Sequence, residues 1–273
     1  MTPPVSPKLH AALNERFSDA PEPPSNLEYL LSIAARGSCR NFTDDPIDRA
    51  LLDALIATAF SAPTKSDLQQ RDIVIITDPQ KRKALDEACD TQGWVSGAPL
   101  LLVILGNHRR QQKIHERQGH PFANNHIDAL FNAAVDGGIL LSSLVTCFEF
   151  AGLGCCPISA IRNKPDIVAD ILNLPKQVFP VSALAVGWPQ SPPTPSPRLP
   201  LSVTVHENSF DDTKEAALVQ EYDSTRTYEN QRFSEKDGIS SDYGWSEDKA
   251  RQYARIERGN FGKWLEINGF KLI

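Results

Sequence analysis

The most informative segment of this chain is Arg36-Gly37-Ser38-Cys39-Arg40-Asn41-Phe42. A second arginine-containing segment, Arg198-Leu199-Pro200, follows much later in the sequence. Two separated groups of guanidinium side chains, one of them with a hydroxyl, suit a buried phosphate because arginine binds phosphate oxygens through a planar, bidentate fork. The pattern points to a phosphorylated cofactor. An exposed helix end with solvated charges has the same composition, so the rest of the chain must decide between the two interpretations.

Hydrophobic periodicity predicts a mixed helix and strand protein. Short aliphatic runs bounded by polar residues predict buried strands at residues 72–77, 100–105 and 180–187. Helical spacing of apolar residues predicts helices at residues 27–35, 47–60, 79–90, 125–151, 166–172, 216–228 and 247–268. The longest of these is apolar on more than one face, so we expect it to be the central core helix. It should end at Gly152-Leu-Gly154, before a turn through residues 155–160.

The remaining segments set the domain organisation. Residues 1–26 are rich in proline and lack the apolar run of a signal sequence, so we expect a flexible arm. Residues 108–120 are polar and charged, without the aromatic residues that stack nucleic-acid bases, and they predict a solvated loop. We therefore expect a single domain over residues 27–273, with a C-terminal helical extension over about 212–273.

Composition excludes several classes of partner. The chain has 273 residues, with 28 basic and 34 acidic side chains and a net charge of −6. This balance argues against nucleic acid or an anionic membrane as the main partner. Five cysteines form neither a zinc-binding spacing nor an even disulfide framework, which favours a reducing, cytoplasmic location and predicts no metal site.

Five strings along the chain resemble the flavin-dependent nitroreductase family, and specifically its NADPH-dependent, oxygen-insensitive nitroreductase and flavin reductase branch. They agree in order and spacing over roughly residues 27–270. The strings are Arg36 to Phe42; Ser61-Ala-Pro-Thr64-Lys-Ser-Asp-Leu-Gln69; Ala151-Gly-Leu-Gly154 with Pro157-Ile-Ser-Ala160; Val186-Gly-Trp-Pro189; and Pro197-Arg198-Leu-Pro200 through Val205-His-Glu-Asn208.

The resemblance implies an α+β fold, in which a mostly antiparallel central sheet is covered by helices, and an entwined homodimer with FMN at the subunit interface. It also implies the roles of individual residues. Arg36, with Gly37 in the same string, Ser38 and Arg198 would hold the FMN phosphate, and Arg40 would lie along the ribityl chain and pyrimidine edge. Thr64 and Gln69 would come from the second subunit. Gln92 would face the pyrimidine, and Pro157, Ile158, Ser159 and Ala160 would cover one face of the ring.

The implied activity is NAD(P)H-dependent reduction of a nitroaromatic, quinone or similar electrophile through FMN, with ping-pong kinetics. NADPH would be the reductant, with NADH as the second possibility, and no side chain would act as a catalytic acid, base or nucleophile because the flavin carries the chemistry. Arg226, Arg232 and Lys236 are candidates for the 2′-phosphate of NADPH.

The chain departs from the family pattern at three positions. The family usually has a basic residue where Ser196 stands, and glycines where Ser159 and Ala160 stand. These departures leave open a non-catalytic or regulatory flavin-binding protein with a closed pocket. Two more classes of protein stay open at this point. One is a superfamily relative, such as a reductive dehalogenase or a flavin-consuming enzyme, and the second is a cysteine hydrolase using Cys155 or Cys156 with His206.

Overall fold

The structure of the chain, a computed structural model, describes residues 4–273. These residues form two compact units, one made of residues 4–37 and 194–257 and the other of residues 38–193 and 258–273. Each unit thus combines segments that are far apart in the sequence.

The second unit is built on a four-stranded antiparallel sheet. Its strands are β1 (Arg71–Ile76), β2 (Leu100–Asn107), β3 (Gly154–Ile158) and β4 (Val178–Gly187), in the spatial order β1-β2-β4-β3. The predicted α+β fold with an antiparallel sheet is confirmed, and the three predicted strands lie within two residues of their expected limits.

Helices cover both faces of this sheet. On one face lie α6 (Ile127–Phe150) and α3 (Arg49–Phe60), and on the other lie α4 (Pro79–Cys89) and α7 (Pro165–Leu172). Strand β2 contributes to both cores because its side chains alternate: Leu102 and Ile104 pack with α6, while Leu101 and Val103 pack with α4. This alternation explains why β2 reads as a continuous aliphatic run.

Helix α6 is the predicted core helix. The His126 side chain accepts a hydrogen bond from the Asp128 N–H at its start, and Gly152, with φ at +86°, ends it as expected for a left-handed glycine. Within the described residues it is the one helix long and apolar enough to cross a membrane. Its contacts with α3 and with all four strands place it in the protein core, as predicted.

Helix α12 (Phe261–Ile267) also belongs to the second unit, and its Trp264 and Leu265 pack with Phe179 and Phe270. A single helix over residues 247–268 was expected. The segment instead divides into α11 (Trp245–Tyr253), in the first unit, and α12. Arg258, with φ at +56°, lies between them in the left-handed region, which a right-handed helix cannot contain.

The first unit contains short helices. They are α1 (Pro7–Asn14), α2 (Leu31–Ala34), α8 (Leu201–Thr204), α9 (Glu215–Thr225), α10 (Ser234–Asp237) and α11, with a 3₁₀ turn over Ser25–Leu30. Helix α1 differs from the expected flexible arm. Leu9 and Ala12 are buried at helical spacing, and the prolines flank the helix instead of interrupting it, with Pro7 in its first turn.

Two further segments also differ from the sequence predictions. Residues 108–120, expected as a loop, contain helix α5 (Arg109–Gln118), which ends at Gly119 with φ at +71°. Its arginine, glutamine, lysine and glutamate residues are good helix formers, so a charged pattern was misread as a loop. Residues 155–160 were expected to turn, but Gly154–Ile158 pair with β4, a long-range partner that local sequence does not reveal.

Strand β2 and strand β4 approach closely at Gly106, which pairs with Phe179. A Cβ atom at position 106 would overlap the Phe179 ring. We predict that Gly106→Ala lowers the free energy of unfolding by about 1–3 kcal/mol, because the ring must leave its packed position. Denaturant titration would measure this loss.

Gly262→Ala, in helix α12, is the matched control, because a Cβ at position 262 would come no closer than 3.9 Å to the Leu272 side chain. It should change the free energy of unfolding by no more than about 1 kcal/mol. The packing interpretation would be contradicted if the two variants had equal stability, or if Phe179→Leu did not reduce the penalty at position 106.

Candidate functional site

The segment from Ser38 to Phe42 lies beside strand β3. The Cys39 N–H donates to the Cys155 carbonyl at 3.0 Å, and Phe42 forms an isolated bridge with Pro189. Cys39 is buried, whereas Ser38 and Arg40 on either side of it are exposed. An extended backbone alternates in this way, so the hydroxyl and the guanidinium are both directed away from the core.

A second loop, residues 90–97, adjoins this segment. The Arg40 guanidinium carbon lies 5.9 Å from the Trp94 ring centroid, within cation–π distance. Gln92 is exposed in the same loop, with φ at +56°. The structure therefore brings Arg40 and the loop of Gln92 together.

Asp86 holds this loop from α4. Its buried carboxylate accepts hydrogen bonds from the Gly93 N–H at 2.9 Å, the Ser96 N–H at 2.6 Å and the Thr91 hydroxyl at 2.9 Å. Burial acts to raise the pKa of Asp86, but these hydrogen bonds outweigh it and the pKa lies below its ordinary value. The loop is thus fixed by an ionised carboxylate.

Residues Pro157 to Ala160 form the end of β3 and the beginning of a 3₁₀ turn over Ser159–Arg162. Pro157 and Ser159 are exposed, Ala160 is half-buried, and Ile158 is in the core. The Cys39–Cys155 hydrogen bond places this segment in the same strand layer as Ser38 and Arg40.

Arg258 adds a cation that the sequence predictions missed. Its Nη2 donates to the Ser159 hydroxyl at 3.2 Å, and its Nε donates to the Asn163 side-chain oxygen at 3.1 Å. Burial lowers the pKa of the nearby Arg162 guanidinium, and the charge of Arg258 lowers it further. Nothing in the sequence pattern links Arg258 to Ser159, because the contact spans nearly a hundred residues.

Thr64 and Gln69 line a cavity of the second unit that is separate from the segments around β3. They line a cavity of about 690 Å³ together with Arg71, Asp72 and Arg110. None of the other residues predicted to bind the flavin lines this cavity. The single chain therefore does not combine Thr64 and Gln69 with the segments around β3.

In the first unit, Arg36 and Arg198 line one cavity of about 610 Å³. Arg36 is half-buried, Gly37 is buried, and Arg198 is exposed. The Nη1 atom of Arg198 donates only to neighbouring carbonyls, those of Ser196 at 3.2 Å and Pro197 at 3.3 Å. Two predicted phosphate ligands thus share a single cavity.

Arg16 joins the segments that carry these two arginines. Its buried guanidinium donates to the carbonyls of Ala34 at 2.7 Å, Ser196 at 3.0 Å and Arg36, and its own carbonyl accepts from the Arg198 N–H at 2.6 Å. The sequence analysis missed Arg16 because it belongs to the expected flexible arm. The helical spacing of Leu9, Ala12 and Leu13 was the available signal.

The three residues predicted as candidates for the 2′-phosphate of NADPH do not line one common cavity. Arg226 lines a cavity of about 580 Å³ with Arg198, Tyr228 and Lys249, and its guanidinium lies 4.8 Å from the Tyr228 ring centroid. Arg232 and Lys236 do not line this cavity, and Arg232 donates to Asp248 at 3.1 Å. Of the three candidates, Arg226 is the one that lines this cavity.

The residues that a cysteine hydrolase would use are buried or held by structural contacts. Cys155 and Cys156 are buried within β3, and the His206 ring packs at 4.6 Å from the Phe210 ring centroid while Nδ1 accepts from the Asp211 N–H. A nucleophile must reach its substrate, so buried thiols in a strand do not suit this chemistry.

The donors present fit FMN. In the second unit, the exposed Ser38 hydroxyl and Arg40 guanidinium suit a phosphate and a polyol chain, and in the first unit the exposed Arg198 guanidinium suits a phosphate. The exposed position of Ser159 leaves the end of β3 accessible, which argues against a pocket closed by its side chain.

Comparison with known proteins gives a family match. The nitroreductase family model matches residues 33–188, and the model of that family's C-terminal domain matches residues 196–273. The chain is 31% identical to FMN reductase (NAD(P)H) of Bacillus subtilis over 90% of this chain and 98% of that protein. It is 34% identical to the oxygen-insensitive NADPH nitroreductase of Salmonella typhimurium over 67% of this chain and 75% of that protein.

Solved structures of similar proteins support the same family match. NfrA2 of B. megaterium superposes with a TM-score of 0.82 at 31% identity, covering 90% of this chain and 99% of that one. The NADPH:FMN oxidoreductase of Vibrio harveyi, solved in complex with NAD⁺, has a TM-score of 0.76 at 28% identity, covering 87% and 96% of the two chains.

A buried histidine adjoins the loop of Thr64 and Gln69. The His108 Nδ1 lies 3.1 Å from the Gln70 Nε2, so the neutral ring accepts this hydrogen bond. Burial, with a smaller contribution from His126, lowers the pKa of His108 from 6.5 to about 4. The neutral ring is therefore the form that the folded state holds.

We predict that His108 makes the protein less stable in acid. Because its pKa is lower in the folded state, the unfolded state takes up the proton first, and stability is lost as pH falls from about 6.5 to about 4. The loss should reach about 3 kcal/mol. Urea titrations across this range, compared between the parent and His108→Asn, would isolate the contribution, and an unchanged pH slope in the variant would contradict it.

Proposed function

Since the chain belongs to the nitroreductase family, it is an FMN-dependent oxidoreductase with NAD(P)H as reductant, and we propose that its acceptor is a small electrophile such as a nitroaromatic or a quinone. The observation that supports this site best is the hydrogen bond from the Cys39 N–H to the Cys155 carbonyl. It joins the segment of Ser38 and Arg40 to the strand that ends at Ser159.

Each segment has a proposed role. Arg36, Ser38 and Arg198 hold the FMN phosphate, and Arg40 and Gln92 face the polyol chain and pyrimidine edge. Pro157, Ile158, Ser159 and Ala160 cover one face of the ring. When bound, FMN supplies the two-electron redox chemistry. The chain itself contributes fixed cations and N–H donors, which favour negative charge at the pyrimidine edge without having to reorient.

The accessible end of β3 favours an enzyme over a non-catalytic flavin-binding protein. Ser159 is exposed and its hydroxyl accepts from Arg258, so the side chain that replaces a family glycine is held by a defined partner. One open space next to this segment would serve the reductant and the acceptor in turn. Arg226 is the proposed contact for the 2′-phosphate of NADPH, with NADH as the second candidate reductant.

We further propose a homodimer in which Thr64 and Gln69 come from the second subunit. Two observations support it: these residues line a cavity that lacks the other flavin ligands, and α6 exposes apolar residues along one stripe. Ile127, Phe131 and Val135 lie four residues apart on that stripe, and Phe131 is 63% exposed. A cytoplasmic location is also proposed, since all five cysteines are free thiols, as a reducing compartment would keep them.

Steady-state kinetics would test whether the reductant and the acceptor occupy the same space beside the end of β3. Initial rates measured at several fixed acceptor concentrations, with NADPH varied, should give parallel double-reciprocal lines, because one occupant must leave before the other binds. His206→Ala should stay within about tenfold of the parent rate, a barrier change below about 1.4 kcal/mol. Intersecting lines would show a ternary complex and contradict the single shared space.

The cross-subunit assignment predicts complementation between two defective chains. Arg198→Ala should weaken FMN binding by about 1.5–3 kcal/mol, because a charge-assisted phosphate contact is lost, and Gln69→Ala should also weaken it. Co-expression of the two variants with different tags should give a heterodimer that regains one intact flavin site. Flavin content of the doubly purified heterodimer is the measurement; no recovery above the parent variants would place both residues in one subunit's site.

A further inference from the structure

The loop between α3 and β1, residues 61–70, carries Thr64 and Gln69 in an unusual backbone conformation. Ser66, Asp67 and Gln69 have φ angles of +48°, +55° and +50°. Each non-glycine residue in this region costs of the order of 1 kcal/mol, so local preference does not select the loop's shape. Contacts from outside the loop must impose it.

Asp136 on α6 supplies two of these contacts. Its carboxylate is fully buried, with Oδ1 accepting from the Lys65 N–H at 3.0 Å and Oδ2 accepting from the Gln70 N–H at 3.1 Å. One carboxylate therefore fixes both ends of the segment that contains the left-handed residues. Such charge-assisted bonds are stronger than bonds between neutral groups.

Arg71 supplies the complementary contacts on the carbonyl side. Its buried guanidinium donates to the Pro63 carbonyl at 2.8 Å, to the Phe60 carbonyl at 2.8 Å and to the Ala62 carbonyl at 2.5 Å. Burial lowers the pKa of Arg71, and the opposite charge of Asp136 acts to raise it. The two buried, oppositely charged side chains each hold backbone groups of the loop.

These contacts flank the two proposed flavin ligands. Thr64 lies between Pro63, held by Arg71, and Lys65, held by Asp136. Gln69 lies between Leu68, whose carbonyl accepts from Gln111 at 2.8 Å, and Gln70, held by Asp136. The backbone on each side of both residues is fixed, while the Gln69 side chain is exposed and donates only within the loop, to Asp67 at 3.0 Å.

We propose that Asp136 and Arg71 are positioning residues for the redox reaction, because they hold Thr64 and Gln69 in the arrangement that receives the flavin. The inference rests on the proposed function, which assigns those two residues to FMN. Burying two charged side chains carries a desolvation penalty, so their presence calls for a role beyond stability. What Asp136 and Arg71 add is one defined loop conformation, which forms without the flavin.

Asp136→Asn tests the proposal in the full-length holoprotein. An amide can accept at one atom only and turns its NH₂ toward a backbone N–H, so one loop end is released. The FMN dissociation constant, measured from the fluorescence of flavin released on dilution, should rise about tenfold or more, as for other residues that orient a ligand-binding group. The visible absorption band of the remaining bound FMN should also shift.

Asp78→Asn is the matched control. Asp78 accepts from the N–H groups of Gln80 at 2.8 Å and Lys81 at 3.5 Å, but at the start of α4, where no proposed flavin ligand lies. The Asp78→Asn variant should lose stability, but its FMN dissociation constant should stay within about twofold of the parent value. A change of about twofold corresponds to under about 1 kcal/mol in the free energy of binding. An equal loss of FMN in both variants would mean that Asp136 acts only through stability, which would overturn the proposal.

A double-mutant cycle separates this inference from the function on which it rests. In a chain that already carries Thr64→Ala and Gln69→Ala, Asp136→Asn should change the FMN dissociation constant by less than about twofold, because there is no ligand left to position. Fully additive effects would overturn the positioning role. If Thr64→Ala with Gln69→Ala does not itself weaken FMN binding, the failure lies in the proposed assignment of those residues.

Arg71→Lys is the second variant, used if Asp136→Asn does not fold. It retains a buried cation but loses the planar fork that reaches three carbonyls. The same loss of FMN affinity and the same non-additivity with Thr64→Ala and Gln69→Ala are expected. A stable Arg71→Lys protein with unchanged FMN affinity would overturn the proposal.

Discussion

Backbone N–H and carbonyl groups removed from water must find partners, and this constraint explains why charged side chains are buried beside the candidate site. Arg16 pairs with carbonyls next to Arg36 and Arg198, and Asp86 holds the loop of Gln92. Asp136 and Arg71 do the same for the loop of Thr64 and Gln69. Buried charges that bind backbone groups therefore shape several of the proposed cofactor-binding segments.

Rigid loops matter most where a subunit presents residues to another subunit. Thr64 and Gln69 line a cavity that holds none of the other proposed flavin ligands, so those residues of the same chain do not orient them. In the proposed dimer they must already have the correct geometry when the two subunits meet. The buried side chains of Asp136 and Arg71 provide that geometry for the 61–70 loop, at the expense of desolvating two ions.

The sequence was sufficient for three of the four strands and for the core helix, but β3 was expected to be a turn. Aliphatic runs and helical spacing report burial directly, which is why β2 and α6 were predicted close to their observed limits. Helix α1 was missed because prolines outside the helix dominated the composition of residues 1–26. The roles of Arg258 and Asp136 could not have been assigned, because their partners are distant in sequence and a charged residue in a local pattern is usually interpreted as solvated surface.

The family match and the geometry around β3 lead to the same conclusion, that the chain binds FMN and passes reducing equivalents from NAD(P)H to a small acceptor. Anaerobic mixing of the purified protein with NADPH, followed by visible absorption spectroscopy, tests this most directly. The protein should carry the yellow colour of oxidised FMN, and NADPH or NADH should bleach it rapidly. A colourless protein that does not take up added FMN, or bound flavin that neither nucleotide reduces, would contradict the assignment.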